Sequence, residues 1–215
     1  MHTLPYALSA AVIAVLAWYY FIQQGFPVNL NFTNAVVAFS ATVVLALAFL
    51  AGPVGRIRRL KRALLYRKDF GLVGYALASV HVLLSAWLVM DREAPIAYSD
   101  ASSLVFAGVA FMVFTLMAIT STRSWVRHLG YANWKNLQRT GYVALAFVAI
   151  HIVLLQQGVF LERTVGQWTL SLVLFVFLAR AVVLVLDVRR QQLRRRRTRA
   201  RRVEERGAPT ERATA

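Results

Sequence analysis

The chain contains no cysteine. Disulfides, thiolate haem ligation, iron–sulfur clusters and zinc–thiolate sites are thereby excluded, and histidine, of which there are four, is left as the only soft-metal ligand. Acids are scarce as well: nine Asp and Glu stand against 25 Lys and Arg, and charged residues make up only 16% of the 215. No Gly-x-Gly-x-x-Gly fingerprint and no phosphate loop occurs, and the apolar body leaves no room for a flavin or nicotinamide domain. The chain alone is therefore not expected to take hydride from a nicotinamide.

What is abundant is apolar side chain: 59% of the residues are hydrophobic and the mean hydropathy is +0.55, too apolar for an ordinary soluble domain. Crossing about 30 Å of hydrocarbon takes about 20 apolar residues. Six runs qualify: Leu4 to Ile22, Asn34 to Ala51, Phe70 to Met90, Ser102 to Ile119, Thr140 to Gln156 and Trp168 to Leu186. The first lacks a basic start and is followed by Gln23, Gln24 and Gly25 rather than a small-x-small cleavage site, so it reads as a retained span. The expected fold is all-α: a polytopic bundle of six transmembrane helices.

Basic residues near span ends stay on the cytoplasmic side. Arg56, Arg58, Arg59, Lys61, Arg62, Arg67 and Lys68 follow the second run, and Arg123, Arg127, Lys135 and Arg139 follow the fourth. The alternate loops hold almost none: residues 23–33 have no Lys or Arg, 91–101 have Arg92 among three acids, and 157–167 have Arg163 beside Glu162. Both termini are thus expected in the cytoplasm, with a membrane domain over residues 1–187 and a basic, partly disordered tail over 188–215. The multi-pass topology suits a bacterial-type inner (cytoplasmic) membrane. The net charge of +16 resides mostly in the inside loops and in the tail, from Arg189 and Arg190 through Arg194 to Arg197, Arg199, Arg201 and Arg202. Topology anchoring and attraction to anionic lipid headgroups account for it without a nucleic-acid partner.

Against this background two histidines stand out. His81 and His151 lie deep in the third and fifth runs, each ten residues after a glycine, Gly71 or Gly141. A ring that hydrogen-bonds costs free energy among lipid tails unless something engages it, so an intramembrane histidine marks a functional site by default. Both spans run from inside to outside, and ten residues lift each ring by roughly 15 Å, which makes the pair level. Small residues share the faces: Gly74, Ala78 and Ser85 with His81, and Gly141 and Ala144, then Val148, ahead of His151. They leave space for a flat macrocycle between helices, or they simply let helices approach closely. An imidazole pair across two membrane helices most often serves haem iron.

The sequence also resembles a known family. Arg67-Lys68-Asp69-Phe70-Gly71-Leu72 leads to His81; Thr120-Ser121-Thr122-Arg123-Ser124-Trp125 is followed by Leu129-Gly130; Trp134-Lys135-Asn136-Leu137-Gln138-Arg139 leads to His151. In that order, with Gly52-Pro53 ahead of a basic loop, these pieces resemble the ferric-reductase-like transmembrane domain family over about residues 40–160. Within it the pattern is similar to that of MsrQ (YedZ)-type membrane haem b subunits, which pass electrons to a periplasmic methionine sulfoxide reductase. The resemblance implies a six-helix haem b electron carrier with His81 and His151 as ligands of an outer haem. It does not extend to an inner haem: where the superfamily commonly has a histidine thirteen residues before the one matching His151, this chain has Gln138, and the third helix offers only the neighbourhood of Arg67 and Lys68. One haem is expected.

Other residues carry weaker signals. His128 sits beside Arg127 in a basic loop and His2 is terminal. Arg180 falls within the sixth run, where a cation must snorkel or find a partner such as a haem propionate or a quinone oxygen. Trp18, Tyr19, Tyr20, Phe21, Trp87 and Trp168 fall near the expected outer boundary, as interfacial anchors do. The expected function is transmembrane electron transfer through a bis-histidine b-type haem, with a quinone or a loosely bound flavin as further cofactor candidates. Electrons would come from a quinol or a cytosolic flavoprotein or flavin reductase and go to an extracytoplasmic redox protein. The alternative is a cofactor-free transporter or assembly factor built around His81, His151 and Arg180. Against it, the spans have no interior acid and no proline in their middles.

Overall fold

A computed structural model describes residues 3–57, 60–90, 101–155 and 164–207. Among the described residues there is helix and no strand. Helix α1 (Thr3–Ala17) passes into a π-helical turn over Trp18–Gln23, and Gly25, at φ 65°, turns the chain in a backbone conformation that glycine adopts freely. Asn29 caps α2 (Leu30–Val54), its side chain accepting from the Phe32 amide at 3.0 Å. Next come α3 (Ala63–Met90) and α4 (Ala101–Ile119). A short α5 (Arg123–Leu129) follows, and Gly130, at φ 73°, breaks the chain before α6 (Tyr131–Leu154). The last helix, α7, runs unbroken over Thr164–Gly207.

Six helices are long and apolar enough to cross a membrane, one for each expected run: Thr3–Gln23, Leu30–Val54, Ala63–Leu88, Ala101–Ile119, Tyr131–Leu154 and Thr164–Leu193. The helices overrun the apolar runs where the flanks are basic. The third begins at Ala63 rather than Phe70, the fifth at Tyr131 rather than Thr140, and α7 continues well past Leu186. Lys, Arg and Gln are good helix formers, and their stems reach from the helix into water, so hydropathy falls at these points while the backbone stays helical. The change of composition at Asp187 accordingly falls inside a continuous helix. Gln156, expected to end the fifth span, and most of the two loops that precede α4 and α7 lie outside the described residues, as does His2.

The bundle is organised around α2. In its apolar window 61% of residues are buried, against 11–22% in the other five spans, which turn most of their apolar surface outward as lipid-facing helices do. Leu45 and Phe49 of α2 pack with Ala110 and Phe114 of α4, Ala144 and Leu145 of α6, and Val173 and Val176 of α7. On its other side α2 packs Val44 and Ala48 against Phe70 of α3. Close approach depends on glycine at two places. A Cβ on Gly74 would stand 2.7 Å from Leu45 Cγ and 3.0 Å from the Leu45 amide nitrogen, and one on Gly141 would meet Phe49 and, at 2.7 Å, Met117 Cε. The space at these two glycines is filled by side chains of neighbouring helices, as the close-contact reading expects.

Candidate functional site

His81 projects from α3 toward the beginning of α2. Its Nδ1 lies 2.8 Å from Asn34 Oδ1, and Asn34 Nδ2 donates to Ser85 Oγ at 2.9 Å. Ser85 is one turn beyond His81 on the same helix, so the Asn34 amide bridges two consecutive turns of α3. An amide oxygen only accepts, so His81 Nδ1 carries the hydrogen and Nε2 carries the lone pair.

His151, in the last turn of α6, is held from α4. Its Nδ1 lies 2.8 Å from Ser103 Oγ and 3.1 Å from the Ser103 carbonyl oxygen, while the Ser103 hydroxyl reaches the His151 carbonyl at 3.1 Å. Carbonyl oxygens only accept, which makes the assignment reciprocal: Nδ1–H donates to Ser103, and the Ser103 hydroxyl donates to the His151 backbone. His151 therefore has the same tautomer as His81, with its lone pair on Nε2. Ser103 is fully buried and Asn34 nearly so. The two imidazoles are within electrostatic reach of one another. Both half-sites stand at the end of the bundle where α2 and α4 begin and α3 and α6 finish, the end at which Trp18, Trp87 and Trp168 are exposed.

Arg180 is elsewhere. Its guanidinium carbon sits 5.3 Å from the centre of the Tyr142 ring, whose hydroxyl donates to the Phe49 carbonyl at 3.3 Å. Tyr142 precedes His151 by nine residues of α6, roughly 14 Å along the helix axis, so the structure does not bring Arg180 to the histidines. His128 lies on α5 with its ring 6.3 Å from that of Trp125, in an open depression with Ser124 and Arg127. Gln138 donates to the Met117 carbonyl at 3.5 Å.

Two residues of the site escape a sequence reading: Asn34 and Ser103. Each is a polar residue just inside the start of an apolar run, a position where Asn and Ser ordinarily mark a helix beginning, so their sequence signal does not distinguish a cap from a partner. Chemically the arrangement is a pair of imidazoles that both donate from Nδ1, so that in the neutral form each has its lone pair on Nε2. Among the described residues no group of three or more His, Cys, Asp or Glu gathers to enclose an ion. The donor set would fit a metal whose remaining ligands come from elsewhere, as in a haem, and His81 and His151 would be the residues to hold it.

The fold and the matched stretch define a class: the ferric reductase like transmembrane component family matches residues 34–150, and the chain belongs to that family. The match starts at Asn34 and stops one residue short of His151. Among curated proteins, the chain is 30% identical to the magnetosome protein MamZ of Magnetospirillum gryphiswaldense over 127 residues, 58% of this chain and 20% of that protein. It is 31% identical over 114 residues to the protein-methionine-sulfoxide reductase heme-binding subunit MsrQ of Ralstonia nicotianae, 51% of this chain and 52% of that one. The same subunit of Caulobacter vibrioides is 27% identical over 106 residues, 48% and 50% of the two chains. The chain thus spans about a fifth of the MamZ protein and about half of the MsrQ subunits.

Proposed function

We propose that this protein is a membrane electron-transfer subunit that holds one b-type haem between His81 and His151. The observation that carries the reading is the matched pair of Nδ1–H bonds, to Asn34 and to Ser103, which leaves a lone pair on Nε2 of each ring. Metal-ligating histidines are held in this way, the second ring nitrogen donating to a fixed acceptor that sets tautomer and ring orientation. The MsrQ relatives, named as heme-binding subunits, support the same cofactor. When bound, haem supplies a one-electron Fe(III)/Fe(II) couple. The chain's own contribution is to hold both imidazoles oriented, half-buried among apolar helices.

The basic segments around Arg56 and Arg127 support a cytoplasmic location for that side by the positive-inside bias, with both termini on it and the histidine end toward the outside of a bacterial cytoplasmic membrane. Electrons enter from a quinol or a cytosolic flavin reductase and leave to an extracytoplasmic redox protein. Arg180, on Tyr142 at the other end, has no part in the ligand set. The domain ends functionally near Asp187, and the arginine-rich remainder of α7 stays cytoplasmic.

The test is spectroscopic. Purified protein should contain about one non-covalent haem per chain by pyridine haemochrome, six-coordinate and low-spin. His81→Ala and His151→Ala should each lose haem or turn it high-spin, while His128→Ala and Arg180→Gln keep the wild-type spectrum. A wild-type spectrum in either of the first two variants overturns the ligand pair, and two haems per chain overturns the stoichiometry. In proteoliposomes reduced nicotinamide alone should leave the haem oxidised, and addition of a quinol or a flavin reductase should reduce it.

A further inference from the structure

We infer that Asn34 is a positioning residue that sets the donor strength of His81, and that the two imidazoles of the site are held unequally, so that the properties of the bound metal respond to Asn34 far more than to Ser103. The inference rests on the haem reading above.

An imidazole that gives its Nδ1–H to an acceptor gains electron density at Nε2, binds a metal more firmly and favours its higher oxidation state. Among the described residues Asn34 Oδ1 is the acceptor that the structure gives to His81 Nδ1, at 2.8 Å. The amide cannot turn away. Its Nδ2 is bonded to Ser85 Oγ at 2.9 Å, and rotation about the side chain would break both bonds in a position only 9% exposed on the most enclosed helix. An unpaired amide buried among apolar side chains costs about 1–3 kcal/mol, so His81, Asn34 and Ser85 form a closed and self-enforcing set.

His151 is held by a different device. Ser103 presents two acceptors to the same ring nitrogen, its hydroxyl at 2.8 Å and its own backbone carbonyl at 3.1 Å. The carbonyl survives any side-chain substitution. Removing the Ser103 hydroxyl therefore leaves an acceptor in place, whereas removing the Asn34 amide takes from His81 the acceptor that fixes its tautomer. One ring is tuned by a side chain, the other by the backbone.

The experiment compares full-length wild type with Asn34→Leu, Asn34→Asp, Ser85→Ala and Ser103→Ala in nanodiscs, reading haemin affinity, midpoint potential and the low-spin electron paramagnetic resonance signature. Asn34→Leu should weaken haemin binding by about 10–100-fold, the range typical for loss of a ligand's hydrogen-bond partner. It should also tilt the ferric-to-ferrous ratio at fixed potential toward ferrous by about tenfold, a rise of about 59 mV for a one-electron couple. Asn34→Asp, which keeps an acceptor and adds charge, should retain haem and shift the potential in the opposite direction. Ser103→Ala should change either quantity by less than about threefold, and Ser85→Ala should fall between the two. Should Asn34→Leu fail to accumulate, Asn34→Asp decides: a lowered potential supports the inference and an unmoved one overturns it. If Asn34→Leu keeps the wild-type potential and resonance signature while His81→Ala loses the low-spin spectrum, the positioning role is overturned and the haem reading stands. If Ser103→Ala shifts the potential as far as Asn34→Leu, the inequality is overturned. If wild type binds no haem, both readings fall together.

Discussion

Among the described residues, the contacts at the histidine end of the bundle pair uncharged side chains across helices, Asn34 to His81 and Ser103 to His151; toward the opposite end they involve ions, with Arg180 lying on the face of Tyr142 and Arg56 paired to Asp187 at 2.7 Å. The difference follows from what each environment charges for a polar group. Among apolar helices a neutral donor is tolerated once its hydrogen bond is made, whereas an ion must keep contact with solvent, with an opposite charge or with an aromatic face. The Arg56 and Asp187 side chains are 52% and 30% exposed, so that pair sits at a boundary. Where partners are neutral and few, each hydrogen bond counts for more.

The contrast depends on helices that touch closely, so its largest disruption should come from the glycines. Gly141→Leu would drive a side chain into Phe49 and Met117 just where α6 meets α2 and α4, with a cost of about 1–3 kcal/mol from overpacking. Gly71→Leu, at a position where a Cβ would meet nothing within 4 Å, should cost much less. Thermal unfolding of both variants in the same detergent, with and without haem, measures the gap; equal stability would mean that close approach at Gly141 is not what holds α6 in place.

A smaller effect should attach to Arg180. Tyr142→Leu and Arg180→Gln should each cost about 0.5–2 kcal/mol, the range for a cation over an aromatic ring, and their coupling in a double-mutant cycle isolates that contact. Neither should move the haem potential by as much as Asn34→Leu; a larger shift from Arg180→Gln would erase the distinction between the two ends. The smallest effect should come from Arg56→Gln or Asp187→Asn. An exposed ion pair is worth about 0–1 kcal/mol and weakens with salt, so the loss should shrink further in 0.5 M NaCl. A salt-independent loss would place the pair in drier surroundings than its exposure indicates.

The six spans were legible because hydropathy and crossing length are one-dimensional properties, and each expected run lies within one helix except for Leu155, the C-cap of α6, and Gln156, beyond the described residues. Helix ends on the basic side were less legible: the third and fifth helices start among Lys, Arg, Tyr and Trp, residues that end an apolar run without ending a helix. His81 and His151 were legible as candidates because polar rings are rare inside apolar runs. Their partners were not, since nothing in the order of residues says that Asn34 lies across from His81, 47 positions away, and not on a cap like that of Asn29. Arg180 was read as a site candidate because a buried cation demands a partner; the partner is Tyr142, a contact between α6 and α7 that no local pattern announces.

The way the histidine bonds are distributed along the chain has a consequence for biogenesis. The first, from Asn34 to His81, closes within the hairpin of α2 and α3; the second, from Ser103 to His151, closes between α4 and α6 and spans a similar length of chain, 47 and 48 positions respectively. Neither needs a residue from the other. As the ribosome delivers the chain, the earlier hairpin has all of its polar contacts once His81 and Ser85 have entered the membrane, well before Ser103 is made. The later one repeats the event with its own materials. Two halves with their own polar contacts already made then meet along α2, where Leu45 and Phe49 pack against α4, α6 and α7, so joining them is left to apolar packing and asks for no further exchange of polar partners.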